Sequence, residues 1–365
     1  MFNNIYANKK VLVTGNTGFK GSWLTAWLLQ MGAKVFGISK DIPTNPSLFE
    51  VLDLNSKITY YQQDIRDFEK VKKIIDEVRP DFIFHLAAQP IVSYSYENPL
   101  ETLSSNVLGT ANILECLRVL NFPCTAVMIT SDKCYDNVEW VWGYKETDAL
   151  GGKDIYSGSK GAAELVCKSY FHSFFKRKTS KVRIATARAG NVIGGGDWAL
   201  DRIVPDCMLS WNEGRAVEIR SPQATRPWQH VLEPLSGYLQ LGAELAENPE
   251  LNGDSFNFGP KSENSHTVVQ LLKDLSKVWK IEENSAYIIT DNITFHEAGL
   301  LKLNCDKALF HLKWTSTLDY QTLIKFTGEW YHEFYKETEN IFDLTISQIA
   351  EYQNIAKKLN LKWTN

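Results

Sequence analysis

The feature that most restricts the fold is the order of apolar runs in the first half of the chain. Short β-branched segments at 11–14, 34–38, 59–63, 81–86, 126–130 and 183–187 alternate with longer stretches of helical period at 20–31, 68–78, 100–120 and 157–176. Strands joined through helices pair in parallel, because a parallel neighbour needs a long crossover and a hairpin turn cannot supply one. Gly32 stands where a helix C-cap belongs, and Pro80 stops the second helix before 81–86. That last segment is apolar almost without a break, as expected of a strand covered on both faces. Six such strands predict an α/β fold, a Rossmann-type doubly wound parallel sheet.

Beyond about residue 192 the rhythm breaks into shorter mixed elements, with helices expected at 234–247, at 268–280 and after 319. No internal repeat or low-complexity linker separates the halves. The expected division is a dinucleotide-binding domain over 1–190 that carries the catalytic residues, and a smaller substrate lobe over 191–365. Some segments of the lobe are expected to return to the first domain.

Charge narrows the function. Lys plus Arg is 39 against 43 for Asp plus Glu, a net charge of −4, which lacks the basic excess of a nucleic-acid binder. No apolar run reaches the roughly 18 residues that span a bilayer, and residues 1–10 carry no apolar signal core. The expectation is a soluble cytoplasmic protein with neither membrane nor nucleic-acid partners. Cys116, Cys124, Cys134, Cys167, Cys207 and Cys305 are scattered with no C-x-x-C pair, so neither a disulfide framework nor a metal site is expected.

Three constellations carry chemistry. Gly15, Gly18 and Gly21 follow the first strand and open the first helix, where a tight turn and a helix N-terminus can cradle a pyrophosphate. Lys40 and Asp41 stand side by side at the end of the second strand, so this position leaves NAD and NADP undecided. Asp64 and Ile65 follow the third strand and could meet an adenine edge, a solvated loop acid being the alternative for Asp64. Tyr156 and Lys160 lie one turn apart at a helix start, where an ammonium can lower a phenol's pKa and fit it for proton transfer. The polar run Thr130-Ser131-Asp132-Lys133 closes the fifth strand, at the sheet end where reactive groups gather, although an ordinary turn would read the same.

With the segment His85-Leu86-Ala87-Ala88-Gln89, these residues resemble the extended short-chain dehydrogenase/reductases. Longer matches at 14–23, 143–148, 188–198 and 226–231, above all Gly-Gly-Gly-Asp-Trp and Arg-Pro-Trp-Gln-His, are similar to the CDP-glucose 4,6-dehydratases over essentially the whole chain. The resemblance implies NAD as cofactor, held by Gly15, Thr17, Gly18, Phe19, Lys20, Gly21, Asp64, Ile65, Leu86, Ala87, Ala88, Gln89, Tyr156 and Lys160. It implies CDP-glucose as substrate. Tyr156, assisted by Lys160 and Ser131, would take the proton of the 4-hydroxyl while hydride passes to NAD, and Asp132 would protonate the departing 6-hydroxyl. Lys133 stands where related dTDP-glucose dehydratases carry a glutamate base, and an ammonium cannot accept a proton unless its surroundings keep it neutral. The C5 base is therefore open at this stage. Asn16 replaces a more usual His in the phosphate loop.

Asn191 and Arg226 are the expected diphosphate ligands, Arg226 having an internal ion pair as its alternative. Arg202 and Trp198 are placed with the substrate. Trp198 and Trp228 read equally well as core. Helices at 100–120 and 157–176 would pair across a two-fold axis through Leu103, Val107, Leu114, Leu117, Tyr170, Phe171, Phe174 and Phe175, making a homodimer or homotetramer, unless those residues pack within one subunit. Two other readings stay open: a dehydratase or epimerase of another nucleotide sugar, and a non-catalytic dinucleotide sensor.

Overall fold

Along the first strand, Val11 and Val13 point to one side and Leu12 to the other, and all three are fully buried. A strand apolar on both faces must sit inside a sheet covered on both faces. The computed structural model, which describes residues 1–219, 221–261, 266–290, 300–338 and 340–365, has that arrangement. The strands are β1 (Lys10–Thr14), β2 (Lys34–Ser39), β3 (Thr59–Gln62), β4 (Phe82–His85), β5 (Cys124–Ile129), β6 (Val182–Ala189) and β7 (Ser255–Phe258). They form one parallel sheet in the order β7-β6-β5-β4-β1-β2-β3, with Val11 opposite Val35 and Phe82, and Phe256 opposite Ala187.

The principal helices are α1 (Phe19–Gln30), α2 (Phe68–Val78), α3 (Gly109–Arg118), α4 (Ile155–Tyr170), α5 (Leu232–Glu247), α6 (Val268–Val278), α7 (Tyr320–Lys336) and α8 (Ile341–Lys358). Leu12, Ile38, Ile83 and Met128 pack one sheet face against α2, α3 and α4 through Ile75, Leu114 and Cys167. Val13, Phe84, Val127 and Ala185 pack the other against α1 and α5 through Trp23, Trp27, Leu235 and Leu239. Residues from late in the chain return to this second face. Trp27 meets Tyr352 and Trp363 edge-on, at ring-centroid distances of 5.7 and 6.0 Å. The buried Glu233 carboxylate accepts the N–H groups of Thr317 at 2.9 Å and Leu318 at 2.6 Å and the Tyr352 hydroxyl at 2.9 Å, tying α5 to α8.

Two expected helices differ in detail. The segment read as one helix over 100–120 runs as a short helix Pro99–Leu103, a π-helical stretch Ser104–Leu108, and α3. The wider turn aims Asn106 inward, where its amide donates to the Ser159 hydroxyl at 2.8 Å and the Gln89 carbonyl at 3.1 Å. The helix expected over 157–176 begins at Ile155 and ends in a second π-helical stretch, Phe171–Phe175.

The apolar residues proposed to meet a partner divide. Leu114, Leu117 and Phe175 are buried inside the subunit, so they correct that expectation, because the sheet already covers them. Leu103 and Phe174 remain exposed, together with Leu100, Leu108 and Leu165. No helix among the described residues is long and apolar enough to cross a membrane.

Candidate active site

Asp154 caps α4, its carboxylate accepting the Ser157 N–H at 2.9 Å and the Ser157 hydroxyl at 2.6 Å. That start places Tyr156 in the first turn, Lys160 one turn later and Glu164 one turn beyond, a buried stripe facing the sheet. Opposite it β5 ends, and Ser131 caps a 3-10 turn by accepting the Lys133 N–H at 3.2 Å. The Ser131 hydroxyl donates to Asp132 Oδ1 at 3.0 Å and favours the ionised form of the Tyr156 phenol. The structure thus brings Tyr156, Ser131 and Asp132 to one place, with Lys160 buried one turn along the same helix.

Burial sets the proton affinities. It raises the Asp132 carboxyl, against the opposing pull of the Lys133 charge and the Ser131 hydrogen bond. It brings Lys160 down to about 8. Lys20 also falls to about 8, through burial first and then the nearby Arg202 cation, while Asp132 draws it the other way. The spacing of Tyr156 and Lys160 predicts a phenol pulled down by an ammonium. The phenol is instead pushed up to about 12, because losing water costs the phenolate more than the Ser131 hydrogen bond returns.

The glycine turn lies at the same sheet edge. Gly15 takes φ +76°, and a Cβ there would come within 2.7 Å of the Ala87 nitrogen. A Cβ on Gly21 would sit 2.0 Å from the Gly15 carbonyl oxygen, so only glycine lets α1 pack this closely. Thr17 donates its hydroxyl to the Asp41 carbonyl at 2.7 Å, and Phe19 packs on the core. Leu86 and Ala87 return N–H groups to the Thr14 carbonyl and hydroxyl at 3.0 and 3.2 Å. Ala88 is half-buried, and Gln89 N–H donates to Asn106 Oδ1 at 2.8 Å. His85 bridges the hydroxyls of Thr14 and Thr110, and burial pushes it down to about 3, so it is neutral. Asn16 is buried over Gly37, where a Cβ would meet it at 2.4 Å. Asp64 is not open to solvent alone, for Arg66 grips its carboxylate through the guanidinium at 2.6 to 3.1 Å. Ile65 is buried in the core.

A cleft opens from Asp132 and is lined also by Gly190, Gln229, Lys261, Lys302 and Leu303. Gly190 is explained here, since a Cβ on it would lie 2.0 Å from Asp132 Oδ2. Asn191 follows with φ +28°, its carbonyl accepting the Gln229 N–H at 3.2 Å. Arg226 lies on a short strand paired with His266–Thr267 and donates to the Thr225 carbonyl at 3.0 Å. Arg202 is committed to the buried Asp197 carboxylate at 2.6 Å, and its charge acts on both Tyr156 and Lys20.

Trp198, expected with the substrate, packs elsewhere. Its ring meets Trp330, Tyr331 and Phe334 of α7 at 5.8, 6.1 and 4.9 Å, and its N–H reaches the Tyr335 hydroxyl. Part of the Gly194–Trp198 loop packs onto α7, with Gly195 against Trp330 and the Asp197 N–H donating to the Tyr331 hydroxyl at 3.0 Å, while Gly194 faces His230 and Gly196 faces Leu48. Trp228 is likewise buried in the core. Sequence reading missed Asn106, Glu164 and the role of Arg188. Only the i+8 position of Glu164 from Tyr156 offered a local signal.

The family profile for GDP-mannose 4,6 dehydratase matches residues 12–327. A CDP-glucose 4,6-dehydratase of Salmonella typhimurium is 44% identical over 354 residues, covering 96% of this chain and 98% of that protein. Among solved structures, a dTDP-glucose 4,6-dehydratase of Streptomyces venezuelae, determined with NAD, superposes with a TM-score of 0.76 at 20% identity over 91% of this chain and 99% of that one. An epimerase of Methanothermobacter thermautotrophicus superposes at 0.79 with 23% identity over 92% of this chain and 97% of that one. The chain belongs to the GDP-mannose 4,6-dehydratase family of extended short-chain dehydrogenase/reductases.

Proposed function

We propose that this protein is a CDP-glucose 4,6-dehydratase working with NAD. The observation that carries the reading is the gathering of Tyr156, Ser131 and Asp132 at the carboxyl ends of the strands, Ser131 bonded to Asp132 and acting on the phenol, with Lys160 one turn after Tyr156. The fold alone does not discriminate, because an epimerase shares it. Asp132 does, since a 4-epimerase needs no acid aimed at a leaving hydroxyl.

The residues suit a dinucleotide. The N-cap of α1 is Gly18, which offers no side chain to the first-turn N–H groups. The first-turn N–H groups of α1 are thereby left for a diphosphate. Bound there by Gly15, Thr17, Gly18 and Gly21, NAD supplies a two-electron acceptor that is restored within the cycle.

In this reading the Tyr156 phenol, steadied by Ser131 and Lys160, moves the proton of the sugar 4-hydroxyl. The 4-keto group acidifies the C5 proton, and Asp132 gives its proton to the C6 oxygen, which leaves as water. Burial suits Asp132 to that task, because it strengthens the carboxyl's hold on its proton. Lys133 lies beside Asp132, where its charge would stabilise the enolate formed once a base in the cleft has accepted the C5 proton. Asn191 and Arg226 face the diphosphate, and the cleft beside Asp132 takes the sugar. The cytosine preference rests on the Salmonella relative. We also propose the division into a 1–190 dinucleotide part and a 191–365 substrate lobe, a homodimer through Leu100, Leu103, Leu108, Leu165 and Phe174, and a cytoplasmic site of action.

The test is incubation with NAD and CDP-glucose, with UDP-, dTDP- and GDP-sugars in parallel, followed by alkaline absorbance of the keto-deoxysugar and mass analysis. Loss of one water from CDP-glucose with no net NADH is expected. Turnover of another nucleotide sugar alone would refute the cytosine preference, and no turnover at all would refute the dehydratase.

A further inference from the structure

The end of β2 is where a parallel dinucleotide fold meets the adenosine ribose, and it is held firmly here. The Ser39 hydroxyl donates to Asn16 Oδ1 at 2.8 Å and accepts the Thr17 N–H at 3.3 Å. Thr17 holds the Asp41 carbonyl, and Gln62 donates to the Lys40 carbonyl at 3.3 Å. The glycine turn and Lys40 therefore keep one fixed relation. Two cations stand at this end, Lys40 and Arg66, and both are already held. Lys40 Nζ donates to Glu101 Oε1 at 3.0 Å, while the other Glu101 oxygen accepts the Tyr94 hydroxyl at 2.6 Å. Arg66 grips Asp64 through Nε and Nη2, lies 3.9 Å from Glu101 and reaches the Ser104 hydroxyl at 3.3 Å. Counting Asp41, three carboxylates face two cations, an excess of one negative charge.

We infer that Glu101 and Asp64, by holding Lys40 and Arg66, make the ribose end of this site refuse a 2′-phosphate and so select NAD over NADP. A ribose diol can donate hydrogen bonds to carboxylates. A phosphate dianion must instead take a cation away from its partner and then lie against the carboxylate left behind. The Tyr94 bond matters because it keeps Glu101 turned toward Lys40, and the Tyr94 hydrogen bond and then the Lys40 ammonium hold the Glu101 carboxyl below its usual range. Lys40 alone at a strand end would read as an NADP signal. The cancelling acid comes from helix Pro99–Leu103, on another part of the chain.

This inference rests on reading residues 15–21 as a dinucleotide site, and direct binding separates the two. Calorimetric titration of the full chain with NAD and with NADP, for wild type, Glu101→Gln and Glu101→Gln/Lys40→Ala, is the experiment. Glu101→Gln is expected to tighten NADP about tenfold, the strength of one charge-assisted contact, with NAD changed less than about twofold. The gain should shrink in about 1 M salt, where the Debye length is near 3 Å, and vanish when Lys40→Ala is added. An unchanged NADP-to-NAD ratio in Glu101→Gln, or a gain that survives Lys40→Ala, overturns the inference. Wild type that binds both equally overturns it while leaving the dinucleotide site standing; wild type that binds neither removes both.

Discussion

Glu164 and Arg188 offer the sharpest test of how the site is held in place. Both side chains are 2% exposed, and the guanidinium meets the carboxylate through Nε and Nη2 at 2.9 and 2.8 Å. Thr130 and Thr186 hydroxyls add bonds to the two carboxylate oxygens at 2.5 and 2.9 Å, and Arg188 Nη1 continues to the Tyr135 hydroxyl at 2.7 Å. Removing one partner of such a pair strands the other charge away from water, at a cost of about 3–5 kcal/mol. Glu164→Leu should therefore lower the unfolding free energy by about 4 kcal/mol. With an unfolding entropy of roughly 0.8 kcal/mol/K for a chain this long, that is about 5 °C in melting temperature. Adding Arg188→Met removes the stranded cation, so the double variant should regain about 2 kcal/mol over Glu164→Leu alone. Urea unfolding followed by fluorescence and circular dichroism gives both values. Losses below about 1 kcal/mol, or a double variant no better than the single, would refute the account. The pH dependence has a fixed sign: despite the cost of burial, the Arg188 charge holds the Glu164 carboxyl below its ordinary value. The pair's stabilisation is thus complete above about pH 4.5 and is lost as pH falls through the folded-state value. Glu164 also shares its helix face with Tyr156 and Lys160, so Glu164→Leu should lower turnover before it lowers helix content.

Other perturbations probe the site and its surroundings. Tyr156→Phe should cost about 10²–10⁴ in turnover while NAD binding by calorimetry is retained, and equal turnover would remove Tyr156 from the chemistry. Gly190→Ala would force a Cβ onto Asp132 Oδ2, so turnover should fall at least tenfold with the melting temperature moving only a few degrees; wild-type rates would show that Asp132 is free to move. Five of the six thiols are buried, with Cys116, Cys124 and Cys167 all raised by burial, and Cys305 is half-buried and pushed up to about 12. A disulfide reagent should accordingly label fewer than one thiol rapidly in native protein and six in guanidinium. Rapid native labelling of several would contradict the packing.

What the sequence discloses here is whatever depends on spacing along the chain. Of the six strands, β1, β4 and β5 are legible because they are apolar on both faces, β3 chiefly by its place in the alternation with helices, and Tyr156 and Lys160 because one helical turn separates them. The seventh strand is not, because Ser255–Phe258 is only four residues long and becomes a strand by pairing with Thr186–Ala189. The same division runs through the site. Gly15 and Gly21 announce themselves by local geometry, whereas Gly190 is a glycine because of the Asp132 carboxylate and Gly195 because of Trp330. Within the Gly194–Trp198 run, Gly195 and Trp198 answer to α7, whereas Asp197 holds Arg202 toward Tyr156 and Lys20. The proton affinity of Tyr156 follows the same logic. Its spacing from Lys160 points downward, but the depth at which both lie belongs to the fold, and desolvation prevails, leaving the phenol near 12 and the ammonium near 8. A phenol so placed keeps its proton until a further positive charge enters the site, which confines proton transfer from the sugar to the fully assembled complex.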